Sequence, residues 1–214
     1  MTTTQYTPEV RAKLERYLAT YELPEGLGDE YGACSIAAIN LALSGELTDD
    51  IPACMSAVLG AATINLQDAM PHEMRNSKRY KDWLPTAAGT GRDHEEERLS
   101  ILMDWTWGTV LPRLQGEADE HGVGTVWRRM CEERSYNAAV DAYEAAQDAG
   151  AGFLADCANY ISCAALDEDT FYSVAAGYAA HTTACAVDAD HAFWEAVDPI
   201  GVLERMTNLK GSDQ

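Results

Sequence analysis

Between residues 135 and 204 the chain has no lysine and no arginine, while 12 of its 35 acidic residues fall there. Nucleic-acid phosphates and anionic membranes are held by cations, so this stretch excludes direct binding to either. The six cysteines (Cys34, Cys54, Cys131, Cys157, Cys163 and Cys185) include no CxxC pair. That absence excludes metal knuckles and thioredoxin-like motifs, and free, mostly buried thiols in a reducing cytoplasm are expected. The opening MTTTQYTPEVRAKLERY lacks the basic-then-apolar run of a secretory leader. Long apolar runs are missing too. Residues 170–187 carry no formal charge, but they are rich in Ala, Thr, Ser and Gly and include His181. Their transfer energy is too poor for a lipid span, so a buried, closely packed helix is expected and no membrane contact. No segment alternates apolar and polar residues as a half-buried strand would.

What is present is a folded composition with an acidic excess. The chain is 47% hydrophobic and 23% charged, which rules out a disordered chain and allows a sizeable core. Its 15 Lys+Arg against 35 Asp+Glu give a net charge of −20. Such a field favours solubility and attracts basic partners.

The periodicity is helical throughout. Thr7-Pro8-Glu9 reads as a helix start: a capping hydroxyl, a proline in the first turn, then an acid at the positive end of the dipole. Val10, Leu14, Tyr17, Leu18 and Tyr21 follow on one face. Residues 22–32 read as a loop. Residues 33–44 are apolar nearly all round and are expected at the centre. Further helices are expected from about 52 to 70, from 72 to 83, from Asp93 as a cap to Pro112, which kinks or ends it, and from 124 to 133. The loop PTAAGTGR is expected to separate the second and third of these. Beyond residue 135 alanine dominates between aromatic spacers, which predicts helices that approach closely. Asp198-Pro199 opens a last amphipathic helix with Ile200, Leu203 and Met206 inward. The expected fold is all-α, a multi-helix bundle with Ala-rich, closely packed C-terminal helices. The compositional change suggests regions 1–134 and 135–214, as two lobes or one continuous bundle.

The block YGACSIAAINLALSGELTDDIPACMSAVLG, continuing through LPTAAGTGRDHEEERLSILMDWTWGTVLP, resembles an uncharacterised family of helical proteins from phages and proteobacteria. In that family a similar block precedes an Ala-rich acidic tail, and the ending DPIGVLERM extends the likeness. The resemblance implies a phage or prophage origin and carries over no activity, cofactor or catalytic residue.

Candidate chemistry is sparse. Six of the fifteen basic residues fall between Arg75 and Arg98, ahead of and within the glycine-led helix start TGRDHEEER. Arg75, Lys78, Arg79, Arg92 and His94 form the candidate anion-binding set, suited to a phosphorylated small molecule. Three glutamates in the same first turn oppose that reading, and the segment lacks the Gly-Lys-Ser/Thr ending of a Walker loop. His94-x-x-Glu97, Glu117-x-x-x-His121 and Asp188-x-x-His191 are too scattered for a di-iron bundle, so no metal or other cofactor is expected. Cys34 at a helix start has the placement of a nucleophile, yet the following SIAAINLAL favours a structural role. Trp83, Trp105, Trp107 and Trp127 are core residues or a hot-spot cluster. Asp141, Glu144 and Asp148 share one helical face, and Asp167, Glu168 and Asp169 form a run. These six are the candidate partner-binding residues. The preferred expectation is a non-enzymatic, cytoplasmic interaction protein, phage-encoded, that binds a host or phage protein with a basic surface. Inhibition of a defence or nucleic-acid-handling complex is its concrete form. The alternatives are a binder or enzyme of a phosphorylated small molecule and a structural virion protein.

Overall fold

The computed structural model describes residues 5–167, 172–185 and 191–209, and among them the fold is all-α. Helix α1, Pro8–Thr20, starts as its sequence dictates: the Thr7 hydroxyl accepts the Val10 amide and Pro8 occupies the first turn. Leu14 and Leu18 are its buried residues. The loop that follows holds a two-residue antiparallel pairing, β1 (Gly28–Asp29) with β2 (Gly32–Ala33). No alternation marks so short a pair. What permits it is Gly28 at φ +74°, where an added Cβ would lie 2.0 Å from the Gly32 carbonyl oxygen.

Helix α2, Ser35–Leu43, buries seven of its nine residues, as an all-apolar helix must. Helix α3, Ala57–Ala69, begins about five residues later than its sequence suggests. Ser56 caps it, accepting the Leu59 amide at 3.0 Å, and residues 50–55 run non-helically before it. Helices α4 (His72–Arg75) and α5 (Lys78–Ala87) follow. The expected loop from Pro85 is instead the end of α5. Burial of Leu84, Pro85 and Ala87 there outweighs the hydrogen bond that proline removes.

Helix α6, Glu95–Trp105, is preceded by His94 in the left-handed region at φ 63°, not by an Asp93 side-chain cap. A π-helical segment, Thr106–Val110, leads into α7, Leu111–Arg113. The helix thus widens just before Pro112 and stops one residue after it, at Arg113, as a proline that kinks or ends a helix predicts. Helices α8 (Gln115–Glu120) and α9 (Gly124–Glu133) come next. Then follow α10 (Tyr136–Asp148), α11 (Gly152–Asp167), α12 (Tyr172–Ala184), α13 (His191–Val197) and α14 (Pro199–Thr207).

The core crosses the compositional boundary near residue 134. Helix α12 packs on α3, α6 and α11, and α14 packs on α3, α5 and α6. Small residues make the α12 contact possible: Ala175, Ala176, Ala179 and Ala180 are buried, and Gly177 faces Asn65 of α3. All five tryptophans are buried. Three of their indoles donate to a fixed acceptor: Trp83 to the Thr207 hydroxyl at 2.9 Å, Trp105 to the Val197 carbonyl at 2.7 Å and Trp127 to the Leu111 carbonyl at 2.9 Å. No described helix is long and apolar enough to cross a membrane.

Candidate functional site

Helix α10 is built to show carboxylates. Ser135 caps it, accepting the Ala138 amide at 3.3 Å. Ala138, Ala139, Ala142 and Ala146 are buried as α10 packs on α11 and α9, and three- and four-residue spacing then leaves Asp141, Glu144 and Asp148 exposed. Asp141 is ion-paired with Arg129 of α9, which also lies 3.8 Å from Glu133. Glu144, Asp148 and the exposed Asp156 of α11 have no ion-pair partner among the described residues. Asp167 is the last residue of α11, and Glu168 and Asp169 lie outside the described residues.

Some carboxylates of the N-terminal region are neutralised within their own helix. Glu15 pairs with Arg11 at 2.9 Å and Asp82 with Lys78. Glu144 and Asp148 differ in that their own stretch of sequence has no cations to offer.

The five candidate anion ligands are distributed over separate contacts. Arg75 is 9% exposed and donates to the carbonyls of Leu23 (3.2 Å), Gln67 (3.4 Å) and Met70 (3.0 Å), closing the end of α3. Lys78 is exposed on α5 with Asp82. Arg79 forks onto Asp198 at 2.7 Å and Glu204 at 2.6 Å, tying α5 to α14. Both acids, through hydrogen bonds to its guanidinium, hold that cation more firmly protonated than usual. Arg92 donates to the Ile51 and Pro52 carbonyls at 3.3 and 3.4 Å. The His94 Nδ1 lies 3.4 Å from Glu97. Of the five, only Lys78 lines the groove of about 730 Å³ between α1 and α5, with Arg11, Glu15, Lys81 and Asp82. Its cations are committed as well, Lys81 donating to the Tyr21 carbonyl at 2.8 Å.

Two residues of the same block do more than sequence reasoning assigns them. Glu95 accepts the Ser56 hydroxyl at 2.9 Å and the amides of Ala57 and Val58 at 3.1 and 2.8 Å, so it caps α3. Arg98 is 3% exposed, and it donates to the Met206 carbonyl at 3.0 Å and to the Asp93 carbonyl. Its position four residues before Leu102 and seven before Trp105 was the available signal, since that places it on the core stripe. Glu95 had no such signal, because its partner helix is 38 residues away.

Cys34 caps α2, its sulfur 3.4 Å from the Ala37 amide, and burial raises its thiol pKa. A nucleophile needs the opposite shift. Among the described residues no three histidine, cysteine or acidic side chains converge as a metal site would require. No protein-family model matches the chain, and neither a curated protein nor a solved structure matches it.

Proposed function

We propose that this chain is a non-enzymatic helical interaction protein that docks a partner with a basic surface through the carboxylates of α10 and α11. The supporting observation is the row Asp141, Glu144, Asp148: exposed, on one helical face, in a stretch without a single cation and with only Asp141 paired. Spacing of three and four residues puts these groups roughly 5 Å apart along the axis, near enough to act together on a cationic partner. The −20 charge would steer such a partner from a distance and keep polyanions away. A phage or prophage origin, which the sequence resemblance implies, would make a host protein the target in a host cytoplasm. A defence or nucleic-acid-handling complex, which carries basic surface for its own substrate, fits that description.

The test is capture from host lysate by the tagged chain beside its Asp141→Asn, Glu144→Gln, Asp148→Asn variant, at low and at moderate salt. The expected result is a partner of basic surface held by the parent chain, weakened by salt and lost from the triple variant. Equal capture by both chains, or none by either at both salts, would overturn the reading. A flat thermal-shift response to nucleotides and phosphorylated metabolites is expected alongside, because the basic residues already have internal partners.

A further inference from the structure

Cys157 and Cys185 lie together where α11 packs on the end of α12. Cys157 lies in α11 and is fully buried, whereas Cys185 follows the last residue of α12 and is half-buried. The Cys157 thiol has the Cys185 thiol as its neighbour. It also lies 3.5 Å from the Thr182 carbonyl oxygen, one turn before Cys185, which fixes it against the end of α12. Neighbouring side chains hold this corner in place. The Cys185 amide donates to the His181 carbonyl at 2.9 Å. The His181 ring meets Tyr160 edge-on at 4.2 Å, and its Nδ1 is 3.2 Å from the amide oxygen of Asn65 on α3.

We propose that Cys157 and Cys185 are a redox-active pair, in which hydrogen peroxide oxidises Cys185 and Cys157 then closes a reversible disulfide between α11 and the end of α12. The order follows from access. Cys185 is reachable from solvent and Cys157 is not. The interaction between them works the same way: with burial it holds Cys157 in its thiol form, and against burial it draws Cys185 toward the thiolate. By contrast, burial raises Cys34, Cys54 and Cys131, the last to about 11. A thiolate is the form that attacks peroxide, so the pair is set apart from those three.

The Cys185 sulfur attacks one peroxide oxygen. The O–O bond breaks, the sulfur keeps that oxygen as a sulfenic acid, and the other leaves as hydroxide and takes up a proton to become water. The Cys157 sulfur next attacks the Cys185 sulfur: the S–S bond forms, the S–O bond breaks, and hydroxide leaves with the Cys157 proton as a second water. The two thiols lose two electrons and the peroxide gains them. An added dithiol reverses the bond by exchange. A buried thiol fixed against the last turn of the helix that carries its neighbour demands little backbone movement for this closure. An oxidant-formed, reducible link is also the kind of disulfide a reducing compartment tolerates.

The experiment treats the reduced full chain with a small excess of hydrogen peroxide, alkylates the remaining thiols and maps peptides without reductant. The expected product joins Cys157 to Cys185, leaves the other four cysteines alkylated and disappears with dithiothreitol. Cys157→Ala should stop at a sulfenic acid on Cys185, captured by dimedone, and Cys185→Ala should slow peroxide consumption by about tenfold or more, as loss of the attacking thiolate requires. Six free thiols after treatment, or oxidation of Cys54, Cys131 or Cys163 ahead of the pair, would sink the proposal. The map of the unaltered chain decides this even if a variant folds poorly.

Discussion

Glu95, in the first turn of α6, accepts the amide of Val58 at 2.8 Å and so caps a helix other than its own. The same carboxylate takes the Ala57 amide and the Ser56 hydroxyl, and nearby Thr90 accepts the Ser56 amide at 3.0 Å. The glycine-led segment that resembles an anion cradle thus already has an anion, supplied by the chain and aimed at α3.

Replacing Glu95 by Gln should destabilise the chain by about 2 kcal/mol, since charge-assisted bonds to half-buried donors are lost. The exposed neighbour Glu96, changed to Gln, should cost no more than about 0.5 kcal/mol. Urea unfolding of the two variants checks the difference, and equal losses would remove Glu95 from this role.

Arg79 and Asp198 are about half exposed and Glu204 about a third, so solvent screens the ties between them. A double-mutant cycle of Arg79→Ala with Glu204→Gln should give a coupling near 1 kcal/mol at low salt, the upper end for such pairs. It should shrink as salt is raised. Asp198 is the wrong partner for this cycle, because its side chain also caps α14 at the Gly201 amide, 3.1 Å away.

Burial raises the Tyr6 phenol from 10.0 to about 12, and its hydroxyl donates to the Pro85 carbonyl at 2.7 Å. Burial likewise raises the Cys131 thiol from 9.0 to about 11. A folded-state pKa above the unfolded one adds stability in full below the unfolded value and loses it as pH rises through the folded one. The chain should therefore lose stability from about pH 9 for Cys131 and about pH 10 for Tyr6, through about pH 12. Urea titrations at stepped alkaline pH measure this. In Tyr6→Phe the portion between pH 10 and 12 should flatten, and an unchanged profile would show that Tyr6 does not contribute.

Two helical glycines should respond oppositely to alanine. At Gly60 a Cβ would lie 2.5 Å from the Ile51 side chain, whereas at Gly177 the nearest atom is Asn65 Nδ2 at an ordinary 3.8 Å. Gly177→Ala should raise stability by roughly 0.5–1 kcal/mol through helix propensity. Gly60→Ala should lower it by about 1 kcal/mol or more, because Ile51 must repack. Thermal unfolding of both variants tests the pair, and a loss at Gly177 would mean that α12 packs on α3 more tightly than the contact indicates.

Much of the fold was legible because local chemistry agreed with the outcome. Thr7-Pro8 and Asp198-Pro199 start helices where capping rules place them, and α9 has the bounds its periodicity suggests. The errors share a cause. The start of α3 and the end of α5 were each misjudged where a distant segment decides which backbone groups are satisfied. The candidate site divides in the same way. Exposure of Asp141, Glu144 and Asp148 follows from spacing against buried alanines, but the buried place of Arg75 and the cross-helix reach of Arg79 do not.

By itself the amino-acid order determined a helical chain, an acidic exterior on the alanine-rich helices and the absence of cations within that stretch. These follow from propensity, period and composition, which act within a few turns. Only the tertiary structure decided that Arg75 and Arg98 serve carbonyls, that Glu95 serves α3, and that Cys157 meets Cys185 across 28 residues of chain. The reason is that buried polar groups must find partners wherever packing brings them, and no local rule sets which helices meet.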